Sequence, residues 1–119
     1  MKEPTEAQEA ISLKQWADLN LIARELLIHI PNGGSRHKIE ARNLKLQGTK
    51  AGVSDYFLAC PSNGYCGLWI ELKCRNKKKS KVSDLQMQWL EKMCAQNYDV
   101  FVAYGWEEAA KKIINYLKN

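Results

Sequence analysis

The most informative alternation of apolar and polar positions runs through Gly67-Leu68-Trp69-Ile70-Glu71-Leu72-Lys73-Cys74. Side chains on a strand point to its two faces in turn. Leu68, Ile70, Leu72 and Cys74 therefore share one face, and Trp69, Glu71 and Lys73 the other. The first is an ordinary core face. The second sets a carboxylate and an ammonium two residues apart in a run apolar enough for an inner strand. Charge there is costly unless it is paired or bound to an ion. Taken alone, a Glu-x-Lys reads as an ion pair on a solvated sheet face, and only its neighbours change that reading.

Thr5, preceded by Pro4 and followed by Glu6, Gln8 and Glu9, marks a helix start with Thr5 as N-cap. The stripe Ala10, Leu13, Ala17 and Leu21 carries that helix to about Asn20 or a little beyond. Glu6 and Glu9 each stand four residues before an apolar stripe position, so either acid can point from the first turn toward the interior. Leu26-Leu27-Ile28-His29-Ile30 predicts a short buried strand, halted by Pro31-Asn32-Gly33-Gly34, with His29 a structural residue. Residues 36–46 form a basic helix ended at Gln47-Gly48, and residues 53–59 a second strand. The turn Pro61-Ser62-Asn63-Gly64 leads from that strand into the Leu68 run, so the two make an antiparallel hairpin.

Ser83 caps a helix with Leu85, Trp89, Leu90, Met93 and Cys94 on its apolar face and Gln86 on the same stripe. Residues 100–104 form a fourth strand, and Trp106, Ala109, Ala110, Ile113 and Leu117 stripe a closing helix. The order α-β-α-β-β-α-β-α predicts an α/β fold: one domain over residues 1–119, with a mixed central sheet flanked by helices.

Composition supports a single globular domain: 119 residues, 45% hydrophobic and 26% charged. The net charge of +5 is unevenly placed. Lys73, Arg75, Lys77, Lys78, Lys79 and Lys81 occupy one stretch without an acid, and Arg36, Lys38, Arg42, Lys45 and Lys50 a second in which only Glu40 opposes them. Two basic runs flanking the Glu71 strand point to a polyanionic partner, nucleic acid above all. No apolar run approaches the roughly 20 residues of a membrane span. The polar start of the chain is no signal peptide, so a cytoplasmic protein is expected. Cys60, Cys66, Cys74 and Cys94 would then be reduced. They form no Cys-x2-Cys pair, which argues against zinc and for buried free thiols.

Asp55 begins one hairpin strand, while Glu71 and Lys73 end the next, so antiparallel pairing brings the three together. Two neighbouring carboxylates repel and raise each other's pKa unless a cation lies between them. Mg2+, or Mn2+, answers that need with one or two protein carboxylates plus waters and phosphate oxygens. Such an ion acidifies a bound water and polarises a phosphoryl oxygen.

Val53-Ser54-Asp55 followed by Ile70-Glu71-Leu72-Lys73 resembles the bipartite PD-(D/E)-x-K nuclease motif. Further stretches resemble one branch of that superfamily, the virus-type replication-repair nuclease (VRR-NUC) domain. They are His29-Ile30-Pro31-Asn32-Gly33-Gly34, Ala41-Arg42-Asn43-Leu44-Lys45, Gly48-Thr49-Lys50-Ala51-Gly52-Val53, Ser83-Asp84-Leu85-Gln86 and Tyr104-Gly105-Trp106-Glu107-Glu108-Ala109. The resemblance spans nearly the whole chain and implies a restriction-endonuclease-like fold. It implies Asp55 and Glu71 as metal ligands, the Leu72 carbonyl as a third, and Lys73 as the catalytic lysine. It also implies Gln86 as the site glutamine and an acid from the first helix, Glu6 or else Glu9. Ser54 departs from the pattern, standing where the motif has proline.

The implied activity is a metal-dependent endonuclease acting on branched DNA, Holliday junctions or flaps, in replication, recombination or repair. The basic residues 36, 38, 42, 45, 50, 75, 77, 78, 79 and 81 would hold the DNA. A phage or prophage origin and a homodimer are further expectations. The dimer rests on one site per chain and on Trp16, Trp69, Trp89 and Trp106 being many rings for so small a core. The competing reading is a non-catalytic basic nucleic-acid-binding module that uses Glu71 and Lys73 as a structural ion pair.

Overall fold

β3 (Leu68–Lys73) is an inner strand of a four-stranded sheet in the computed structural model, which describes residues 2–31 and 38–118. The strands lie in the order β1 (Leu27–His29), β2 (Tyr56–Leu58), β3, β4 (Asp99–Tyr104). The first two pairings are antiparallel, so the expected hairpin is present, and β3 runs parallel to β4. Tyr56 pairs with Ile70, which brings Asp55, one residue earlier, alongside Glu71 and Leu72.

Both faces of β3 are covered. Leu68, Ile70 and Leu72 join a core with Leu13 and Ala17 of α1 (Glu6–Ala17) and Ala109, Ile113 and Tyr116 of α5 (Trp106–Leu117). On the other face Trp69 meets Trp89 of α4 (Asp84–Ala95) edge-on, with ring centroids 5.2 Å apart. Phe57 stacks on Trp69 at 4.5 Å. Capping boxes start α1 and α4: Thr5 exchanges hydrogen bonds with Gln8, and Ser83 with Gln86.

The structure departs from the pattern-based expectations in several places. A short helix α2 (Leu21–Leu26) precedes β1, making the order α-α-β-α-β-β-α-β-α. Its cause is Asn20, whose Oδ1 accepts from the Ile22 and Ala23 N–H groups and begins a new helix. β1 is an edge strand and not a buried one, with Ile28 about half exposed. The strand expected over 53–59 pairs only at Tyr56–Leu58. All four cysteines are free, but none is buried, and Cys66 and Cys94 are exposed. On α4 only Leu90 is buried, while Leu85 faces solvent.

Helix α3 (Lys38–Leu46) falls within the expected basic helix and buries no residue. Arg36, His37 and the Asn32-Gly33-Gly34 turn lie outside the described residues. None of the four tryptophans is exposed. The rings invoked for a dimer are therefore accommodated within one chain. Among the described residues no helix is long and apolar enough to cross a membrane.

Candidate active site

At the end of β3 the chain buries a carboxylate and an ammonium side by side. Glu71 is 1% exposed and Lys73 7%. Glu71 Oε2 accepts from Gln86 Nε2 at 3.2 Å and faces Lys73 Nζ at 3.8 Å. Gln86 reaches it because the capping box fixes the first turn of α4, its Oε1 accepting from the Ser83 N–H at 2.8 Å. Glu71 Oε1 is also buried, yet no donor of the protein reaches it.

Asp55 stands at the same spot. Its Oδ2 accepts from the Leu72 N–H at 2.8 Å. Its backbone carbonyl accepts from the Ile30 N–H at 2.7 Å and from His29 Nδ1 at 3.1 Å, so β1 holds Asp55 from behind. His29 is thus a structural residue at the site's edge, but an exposed one.

The electrostatics follow from this crowding. Burial pushes the Glu71 carboxyl up to about 9, helped by the Asp55 carboxyl beside it; Lys73 opposes the rise. Glu6, at the start of α1, remains exposed as a residue. Its carboxyl is nevertheless raised by partial burial, with Lys73 lowering it and Asp55 raising it further. The structure thus brings Asp55, Glu71, Lys73, Gln86 and Glu6 into one electrostatic neighbourhood.

Glu9 goes elsewhere. It is fully buried, and Arg75 grips it with Nε at 2.8 Å and Nη2 at 3.0 Å. The Trp106 N–H adds a third bond at 3.2 Å. Arg75 also bonds Glu107 at 3.0 Å, so its guanidinium, though exposed, is engaged by two carboxylates of the protein. Nothing in the sequence signalled the Glu9–Arg75 pair, whose members are 66 positions apart. The other described residues of the two basic runs, Lys38, Arg42, Lys45, Lys50, Lys77, Lys78, Lys79 and Lys81, are all exposed.

Among the described residues no three His, Cys, Asp or Glu side chains form a metal cage of their own. Two adjacent carboxylates with an orphaned buried oxygen suit a hard cation that keeps most of its coordination for water and phosphate. The donor set therefore fits Mg2+ or Mn2+.

Against known families, the VRR-NUC domain model matches residues 3–107. The chain belongs to the VRR-NUC domain family. A solved structure described as a VRR_NUC domain protein superposes with a TM-score of 0.82 at 23% identity, covering 97% of this chain and 89% of that one. That likeness shows the fold: an α/β VRR-NUC domain whose helix-flanked mixed sheet is consistent with the PD-(D/E)-x-K class. No curated protein matches the chain. Membership makes this a nuclease-type domain.

Proposed function

We propose that this VRR-NUC chain is a divalent-metal-dependent endonuclease that hydrolyses DNA phosphodiester bonds, with a preference for branched DNA such as four-way junctions and flaps. The observation that carries the reading is the buried Glu71 carboxyl beside Asp55, whose Oε1 has no donor while its Oε2 lies 3.8 Å from Lys73 Nζ. Asp55, Glu71 and the Leu72 carbonyl would hold Mg2+ or Mn2+, which when bound supplies an acidified water and a polarised phosphoryl oxygen. Gln86 fixes the Glu71 carboxylate. Lys73 presents a cation where charge builds on the phosphate, and Glu6 of α1 is near enough to feel the Lys73 and Asp55 charges. The exposed lysines and arginine of α3 and of the segment after β3 hold the polyanion on either side.

Paired cuts on a four-way junction need two sites in fixed relation, and one chain supplies one. A two-fold homodimer is therefore part of this reading.

The test incubates purified protein with linear, nicked, flapped and four-way DNA in Mg2+, Mn2+ or chelator, alongside light scattering for the dimer. Cleavage of branched DNA in either metal, and none in chelator, is expected. Asp55→Asn, Glu71→Gln and Lys73→Ala should each lower the rate by about 100-fold or more while the circular dichroism stays that of the parent. Full activity in contaminant-free Glu71→Gln overturns the site. The binding-module reading draws on the 3.8 Å Lys73–Glu71 approach, and it predicts DNA binding with no cleavage in any metal.

A further inference from the structure

The first turn of α1, which carries Glu6, has little apolar attachment to the body. Glu6, Ala7 and Gln8 are exposed, and Glu9 is the one buried residue of that turn. Farther along, Leu13 and Ala17 anchor the helix by ordinary burial. Besides the Asn76–Glu3 bond just ahead of it, what ties the first turn down is the fork between Glu9 and Arg75. That fork meets the rest of the site at one point: Arg75 follows Lys73 by two residues, the Gly105 N–H donates to the Lys73 carbonyl at 2.9 Å, and the next N–H, of Trp106, donates to Glu9. The Gly105 turn packs beside the pair, where a Cβ would stand in ordinary contact with Arg75 Cβ at 3.4 Å and Glu9 Oε2 at 3.6 Å.

We infer that the Glu9–Arg75 pair is a positioning device that holds the first turn of α1 against the end of β3, so that Glu6, one turn before Glu9, is aimed at the Asp55–Glu71–Lys73 site. The inference rests on the nuclease reading above, and it gives Arg75 a role that its basic charge did not suggest. A planar guanidinium meets a carboxylate with two parallel bonds, and a lysine ammonium cannot reproduce that geometry. The Arg75→Lys substitution therefore separates the two roles open to this residue. A DNA contact needs only the charge, whereas the fork needs the plane.

The experiment compares the parent with Arg75→Lys, Arg75→Ala, Glu9→Gln and the double variant Glu9→Gln/Arg75→Ala. It reads Mg2+ binding by calorimetry without DNA, DNA affinity in chelator, and the Mg2+ dependence of cleavage. For both Arg75→Lys and Glu9→Gln we expect Mg2+ affinity about 10–100-fold weaker, as for other residues that orient ligands from behind. DNA affinity in chelator should be unchanged, and the double variant should be no worse than either single, as for two members of one unit. In a Glu6→Gln background Arg75→Lys should add nothing to the fall in Mg2+ affinity, whereas general loosening of the fold would still add to it. Weakened DNA binding in Arg75→Ala that Arg75→Lys restores overturns the inference in favour of a DNA contact. A parent that binds Mg2+ and cuts, with Arg75→Lys doing both equally well, overturns it while leaving the nuclease reading intact. A parent that neither binds Mg2+ nor cuts removes both.

Discussion

Glu71 carries opposing demands in a single side chain. Burial and the neighbouring Asp55 raise its carboxyl to about 9, against 4.5 for a free glutamate. Between those values the folded, metal-free protein holds a proton that the unfolded chain has released. Stability must then fall as pH rises across that window. The contribution is complete below about 4.5 and gone once the pH passes the folded value. Glu71→Gln keeps the shape and the bond from Gln86 but cannot titrate. In chelator, the melting temperature of Glu71→Gln should therefore gain steadily on that of the parent between pH 5 and pH 9, as read by scanning calorimetry. Parallel curves for the two proteins would show that Glu71 is not protonated in the folded state. Added Mg2+ should stabilise the parent more as pH rises, because metal and proton compete for the same oxygens.

At the scale of elements, the site depends on how the first turn of α4 is seated. Gly52 is the seat. Its φ is 88°, and a Cβ there would come within 2.6 Å of the Leu85 carbonyl carbon and oxygen. Gly52→Ala must push away the turn that delivers Gln86 to Glu71. Gly64 has a similar φ of 84° with nothing within 4 Å, so Gly64→Ala measures the backbone cost alone. We expect Gly52→Ala to cost about 1–3 kcal/mol beyond Gly64→Ala, the usual range for overpacking, in urea unfolding. It should also slow cleavage at least as much as Gln86→Ala, while Gly64→Ala cleaves normally. Equal costs for the two glycines would mean that α4 shifts freely.

Much of this level was legible beforehand. The period-2 run of β3, the Thr5 and Ser83 caps and the hairpin turn are local signals, and the structure contains each. What escaped reading was non-local or competitive. Asn20 is a polar residue inside a continuing apolar stripe, and its cap interrupts the helix there. Residues 26–30 look apolar enough for a core strand but fall at the sheet's edge, which only topology decides. Of the two acids, Glu6 and Glu9, the sequence leaves both facing inward; which one Arg75 takes depends on a contact across most of the chain.

The whole molecule carries its charge asymmetrically, in two basic segments that differ in how they are held. The turn after β3 is fixed to the body: Asn76 Nδ2 bonds Glu3 at 3.2 Å, and Lys77 Nζ lies 5.0 Å from the centre of the Tyr104 ring. Helix α3 buries none of its residues, and Lys38, Arg42 and Lys45 all face solvent. A pre-ordered turn gives up little freedom on meeting a phosphate backbone, so its lysines should engage phosphates efficiently. Replacing Lys77, Lys78 and Lys79 together with Ala should weaken DNA binding alike for every sequence tested. It should also flatten the slope of log affinity against log salt, by about 0.9 for each duplex phosphate no longer neutralised. Lys77 is partly engaged by Tyr104, so Lys78 and Lys79 should account for most of the change. The same titration on Arg42→Ala/Lys45→Ala tells whether α3 grips the same duplex, since the slope changes of two segments engaged at once should add. A slope unchanged in both sets would leave the +5 charge as a solvated surface. The DNA path would then have to be sought away from both flanks of the Asp55–Glu71–Lys73 site.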